Sequence, residues 1–137
     1  MIFQTFKFTT RRNNELIDIT PQVREIIKNS RVREGLCIIY SPHTTAGITI
    51  TTTSDPETVT DILTEFDRLV PIRATFRHTL DTPSDAAGHI KMILVGNSVN
   101  AAIVDGNLHI GHSQYILFYE FDGPRDREVE VQIITCS

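Results

Sequence analysis

Five histidines offer the chain its most versatile chemistry, and all of them lie between positions 43 and 112. Imidazole is a metal ligand when neutral and an acid–base group near neutrality, so the company of each ring decides its use. His43 stands in SPHTTAG, at the edge of an apolar segment, where loops often carry functional side chains. His78 stands in FRHTLD, with Asp81 three residues on. His89 follows Asp85 by four residues, the spacing that brings two side chains together on one face of a helix. A carboxylate at that distance can orient an imidazole ligand or hold it as a general base. His109 and His112 form an HxxH pair in NLHIGHSQ, a weak metal signal without a partner at fixed spacing. Glu120 and Asp122 in YEFDGPR would share a face of a continuing strand and could complete a cation site. An ordinary strand end is the competing reading for Asp122.

The familiar catalytic signatures are missing: the sequence has no P-loop, GxGxxG, HExxH, GxSxG or CxxC. Cys37 lies in an apolar run, where a thiol acts as a small hydrophobe. Two cysteines are too few for a disulfide scaffold, which points to a reduced, cytoplasmic protein. Thirteen basic against seventeen acidic residues give a net charge of −4, unlike a binder that neutralises nucleic-acid phosphates. No apolar run approaches the roughly 18 residues of a membrane span, and the N-terminus does not read as a signal peptide.

The elements that must position these groups read as one domain over residues 1–137, without repeat or linker. Phe6 and Phe8 alternate with polar residues in a strand, and a turn at Arg11–Asn14 leads to a second strand, predicting an N-terminal hairpin. Thr20-Pro21 predicts a helix start with the Thr20 hydroxyl as cap. Gly35–Tyr40 and Gly47–Thr53 read as strands. Asp55-Pro56 opens the clearest helix, whose apolar stripe runs Val59, Ile62, Leu63, Phe66, Leu69 and Val70. Ile72–Pro83 reads as irregular. Ser84 caps a third helix that shows Ala86, Ile90, Ile93 and Leu94 on its apolar face and ends at Gly96-Asn97. Asp105-Gly106 signals a hairpin turn, and Tyr115–Phe121 and Val129–Ile134 are further strands. About three helices among about seven or eight strands predict an α+β fold with a large, mainly antiparallel sheet or sandwich.

Several blocks, in order, resemble the YjbQ-like family, described as secondary thiamine-phosphate synthases. They are SPHTTAGITI, DPETVTDILTEFDRLVP, SDAAGHIKMILVGNS, DGNLHIGHSQ and YEFDGPRDREVEVQII. The resemblance implies an α+β fold, a homotrimer and a histidine-rich site with a divalent metal. It carries His43, His78 and His89 over as metal-site histidines, with His43, His89, Asp85 and Gln114 as catalytic residues. The chain departs from the family where Gly111-His112-Ser113-Gln114 lacks the usual threonine and tryptophan.

The activity so implied is a metal-assisted transferase joining a thiazole phosphate to a pyrimidine diphosphate, with release of pyrophosphate. The partner would be a small phosphorylated substrate. Three imidazoles suit zinc, whereas diphosphate chemistry favours oxygen-bound magnesium. Two alternatives stay open: a metal-dependent hydrolase of a small phosphate or ester, and a non-catalytic trimeric binding protein.

Overall fold

The computed structural model describes residues 1–73 and 75–136. Its elements run β1 (Ile2–Thr9), β2 (Glu15–Asp18), α1 (Thr20–Ser30), β3 (Gly35–Tyr40), β4 (Ala46–Thr51) and α2 (Pro56–Leu69). Then follow α3 (Asp85–Val95), β5 (Ser98–Val104), β6 (Asn107–His109), β7 (Tyr115–Glu120) and β8 (Asp126–Thr135). The fold is α+β, with one five-stranded sheet ordered β1-β8-β3-β5-β6 and one three-stranded sheet ordered β2-β7-β4. Every described pairing is antiparallel.

The core lies between the sheets and is closed by α1. Cys37, Ile39, Val129, Val131 and Ile133 of the larger sheet meet Ile48, Ile116 and Phe118 of the smaller, with Ile19, Val23 and Ile27 sealing the cluster. Burial at this depth pushes the Cys37 thiol up to about 11, so it remains protonated at neutral pH. The middle strand β7 is buried on both faces. Its second face turns Tyr119 toward Phe66 of α2, whose ring centroid is 5.2 Å away.

The N-terminal hairpin is not formed. β1 pairs with β8 in one sheet and β2 with β7 in the other, so the turn between them crosses from sheet to sheet. The hairpin at Asp105-Gly106 does form, and both residues take positive φ, 51° and 78°. Two caps differ from expectation. The Thr20 hydroxyl accepts the Ile116 N–H at 2.8 Å instead of capping α1, and Asp18 accepts the Thr20 N–H at 3.0 Å. The Ser84 hydroxyl donates to Asp122 rather than closing the end of α3.

α3 also turns a different face inward. Its buried residues are Asp85, Ala86, Ala87, Gly88 and Lys91, whereas Ile90, Ile93 and Leu94 are 40%, 75% and 58% exposed. Small residues win this face because the helix runs close to β4: a Cβ on Gly88 would lie 3.1 Å from the Thr45 methyl. Lys91 can be buried because Asp67 of α2 and Asn14 accept its ammonium at 2.6 Å and 3.1 Å. The stripe of α2 is only half-buried, and Leu69 is exposed.

Candidate functional site

α3 opens on Asp85, which is buried, and its Oδ2 meets two imidazoles at once. His89 lies one turn along the same helix, with Nε2 3.0 Å from that oxygen. His78 reaches the oxygen with its own Nε2 from the segment between α2 and α3. The two rings stand 5.3 Å apart, tilted by 45°.

One further contact fixes the chemistry of His89. Its Nδ1 lies 3.1 Å from the Thr44 carbonyl oxygen, which can only accept. Nδ1 therefore carries a proton, and Nε2 is the ring nitrogen left to face the carboxylate of Asp85. Two acceptors that face each other need a proton or a cation between them. Burial alone would raise the Asp85 pKa, but the hydrogen bonds from His78 and His89 and the charges of both rings outweigh it and hold the carboxyl below its usual range.

The donors fit a divalent ion. Two imidazole nitrogens and one carboxylate oxygen lie within 4.8 Å of one another. A mixed nitrogen–oxygen set suits zinc and its neighbours better than magnesium, which prefers oxygen alone. Asp81, Asp85 and Asp122 also bring oxygens within 4.8 Å. However, Arg125 donates to Asp81 at 3.0 Å and to Asp122 at 2.8 Å, so oxygens of both carboxylates are already engaged by one guanidinium.

That arginine belongs to the frame that positions His78. Asp122 is buried and accepts hydroxyl hydrogen bonds from Thr82 and Ser84, while Asn13 donates to the Ser84 oxygen at 2.8 Å. Asp81 adopts φ 69° and turns its carboxylate to Arg125. A segment without helix or strand is thus fastened at several points around the histidine it delivers. EFDGPR supplied the block containing Asp122 and Arg125, but nothing local in the sequence showed that Thr82, Ser84 and Asp81 would meet it.

The structure brings His78, Asp85 and His89 together and leaves the other expected residues elsewhere. His43 does not enter the group within one chain. Its Nε2 accepts the Glu128 N–H at 3.0 Å, and its ring stands edge-on to Phe118. Burial, and then the positive charge of Arg127, push its pKa down, so the ring is neutral at pH 7. Gln114 accepts the Gly111 N–H at 2.7 Å and closes an exposed turn away from the group. His109 and His112 are exposed. Glu120 is not available as a ligand: Arg127 donates to it at 2.8 Å, Thr10 at 2.7 Å, and the Phe121 and Asp122 N–H groups at 3.0 Å and 3.1 Å.

Comparison with known proteins agrees with the fold. The sequence profile of the family described as "UPF0047 protein YjbQ-like" matches residues 4–136. UPF0047 protein MJ1081 of Methanocaldococcus jannaschii is 46% identical over 98% of this chain and 94% of its own. UPF0047 protein YugU of Bacillus subtilis is 36% identical over 97% and 99%. Among solved structures, an uncharacterized protein of the same family from Clostridium acetobutylicum superposes with TM-score 0.90 at 39% identity, covering 96% of this chain and 99% of that one. A hypothetical protein from Aeropyrum pernix K1 gives 0.92 at 30% identity, covering 99% and 100%. These findings overturn the expectation of a thiamine-phosphate synthase. The relatives are described as UPF0047 proteins and the structures as uncharacterized or hypothetical, and none of these descriptions carries that activity. The physical reason agrees, because the carboxylates that would build an oxygen-rich magnesium site for pyrophosphate are held by Arg125 and Arg127.

Proposed function

The chain belongs to the UPF0047 family of YjbQ-like proteins, and we propose for it a divalent-metal site, formed by His78, Asp85 and His89, at which a small anionic molecule is bound and opened by water. The carrying observation is the Nδ1–H of His89 on the Thr44 carbonyl, which leaves Nε2 to meet the Asp85 oxygen that His78 also meets. A bound ion would supply Lewis acidity and make a water molecule acidic near neutral pH.

The residues of the chain do the rest. Asp85 sits beneath with its side chain 9% exposed, and the imidazoles of His78 and His89 are 40% and 39% exposed above it. A ligand therefore arrives on the histidine side. Two neutral imidazoles and one carboxylate around a divalent ion would leave the ion itself net positive and able to draw an anionic group, such as a small phosphorylated molecule, onto its open side. Thr44 holds His89 in one tautomer, and the Arg125 frame holds the segment that carries His78.

Ile90, Ile93 and Leu94 on the outer face of α3 suit burial against another copy of the chain, in keeping with a homotrimer. Two free thiols, one exposed at Cys136, suit a reducing cytoplasmic location.

Calorimetric titration of metal-free protein with Zn²⁺ tests the site, followed by assays of the loaded protein on phosphate and carboxylate esters. We expect one ion per chain and turnover, with H78A, D85A and H89A each weakening zinc by at least about 100-fold while keeping the native circular dichroism. Equal zinc binding by the three variants would reject the site. Zinc binding without turnover of any ester would reject the reaction.

A further inference from the structure

Beside His78 the chain forms a cleft of about 330 Å³ that includes Ile72, Arg73, Phe76, Thr82 and Ala86 in its walls. The volume is at the lower end of the range for small-molecule sites. Ile72, Phe76 and Ala86 offer apolar surface. The Arg73 guanidinium carbon lies 4.6 Å from the centre of the Phe76 ring. Stacking of this kind holds a guanidinium flat and leaves its N–H edge free to donate. Arg125 and Arg127 are spent on carboxylates, whereas Arg73 makes no ion pair and no side-chain hydrogen bond among the described residues. Other arginines of the surface are also unpaired. Arg73 differs because it lies on an aromatic ring in a concave wall shared with a histidine of the metal group.

We infer that this cleft is the substrate recess, and that it takes a compact ring-sized apolar body bearing an anionic group, with Arg73 as the anion-binding residue and Phe76 as the apolar wall. His78 belongs to both places: its Nε2 lies on Asp85, and the residue lines the recess. The inference rests on the metal-site reading only for where the reacting end of the ligand faces. Arg73 and Phe76 themselves contact none of the three proposed metal donors in an ion pair or hydrogen bond.

Phenyl phosphate and inorganic phosphate are the probes, titrated calorimetrically into the full chain, metal-free and zinc-loaded. Phenyl phosphate should bind at least about tenfold more tightly than inorganic phosphate, since only it can fill the apolar recess. R73Q should weaken phenyl phosphate about tenfold, with R73K intermediate, as expected for loss of a charge-assisted fork. F76A should weaken phenyl phosphate by a larger factor than inorganic phosphate, since it removes the apolar wall as well as the ring under Arg73. Zinc affinity should be the same in every variant, so loss of zinc binding in the wild type would sink the metal reading alone. Equal affinity for the two probes, or phenyl phosphate binding indifferent to both R73Q and F76A, would overturn the recess.

Discussion

His89 Nδ1 donates to the carbonyl oxygen of Thr44 at 3.1 Å, so a helix histidine takes its tautomer from the residue beside His43. The three residues of the HTT block thereby fasten three different places. His43 holds the backbone of β8 at Glu128, Thr44 sets His89, and the Thr45 hydroxyl accepts from Arg127 at 2.8 Å.

The tautomer is directly observable. In long-range ¹H–¹⁵N spectra, His89 should carry a proton on Nδ1. Zinc should shift the Nε2 resonance of His89 and leave that of His43 in place. An Nε2–H ring insensitive to zinc would remove His89 from the site.

Glu120 and Arg127 form an ion pair in which both side chains are almost fully buried. Removing one charge strands the other, at a cost of about 3–5 kcal/mol. E120Q and R127M should each lower the stability by that order in urea denaturation, whereas the double variant should recover part of the loss. Two additive losses would show that the pair is not coupled.

Lys91 makes a milder case, since its partner Asp67 is half in water. Replacing the ammonium by a methyl-ended chain of similar length removes the need for a partner. K91M should be within about 1 kcal/mol of the wild type, whereas D67A should cost about 1–3 kcal/mol by leaving the cation with Asn14 alone. Thermal melts of the two variants measure the difference, and a K91M protein less stable than D67A would reverse the assignment.

His43 gives stability a dependence on pH. Its folded pKa is lowered from 6.5, first by burial and then by Arg127. The unfolded chain therefore binds the proton more readily, and stability rises with pH through the window between the folded value and 6.5. Its contribution is fully present above 6.5 and is lost as the pH falls through that window. Between pH 7.5 and 5.5 in chelator, the denaturation midpoint of the wild type should fall more steeply than that of H43Q. Parallel slopes would mean that the ring is not desolvated as described.

Local signals in the sequence carried most of the elements and one half of the site. Asp55-Pro56 and Asp105-Gly106 were legible because caps and tight turns are decided by a few adjacent residues. Asp85 and His89 were legible because helical spacing alone brings them together. The partners of β1 and β2 were not, since each pairs with a strand at the far end of the chain, Ile2 with Ile133 and Asp18 with Leu117. His78 drew notice through nearby Asp81, yet it meets Asp85 while Asp81 turns to Arg125. The face of α3 was read correctly at Ala86 alone: Ile90, Ile93 and Leu94 point outward, and the lysine goes inward because α2 delivers an acid to it.

β7 presents Ile116 and Phe118 to one layer and Leu117 and Tyr119 to the other, and ends at Glu120. A slip of one position would exchange the two sets and push the Tyr119 hydroxyl into the oily interior. The same slip would drag Glu120 off its guanidinium. Correct alignment of this ribbon is thus proofread at its tip by electrostatics, far more sharply than two interchangeable greasy sides could manage alone.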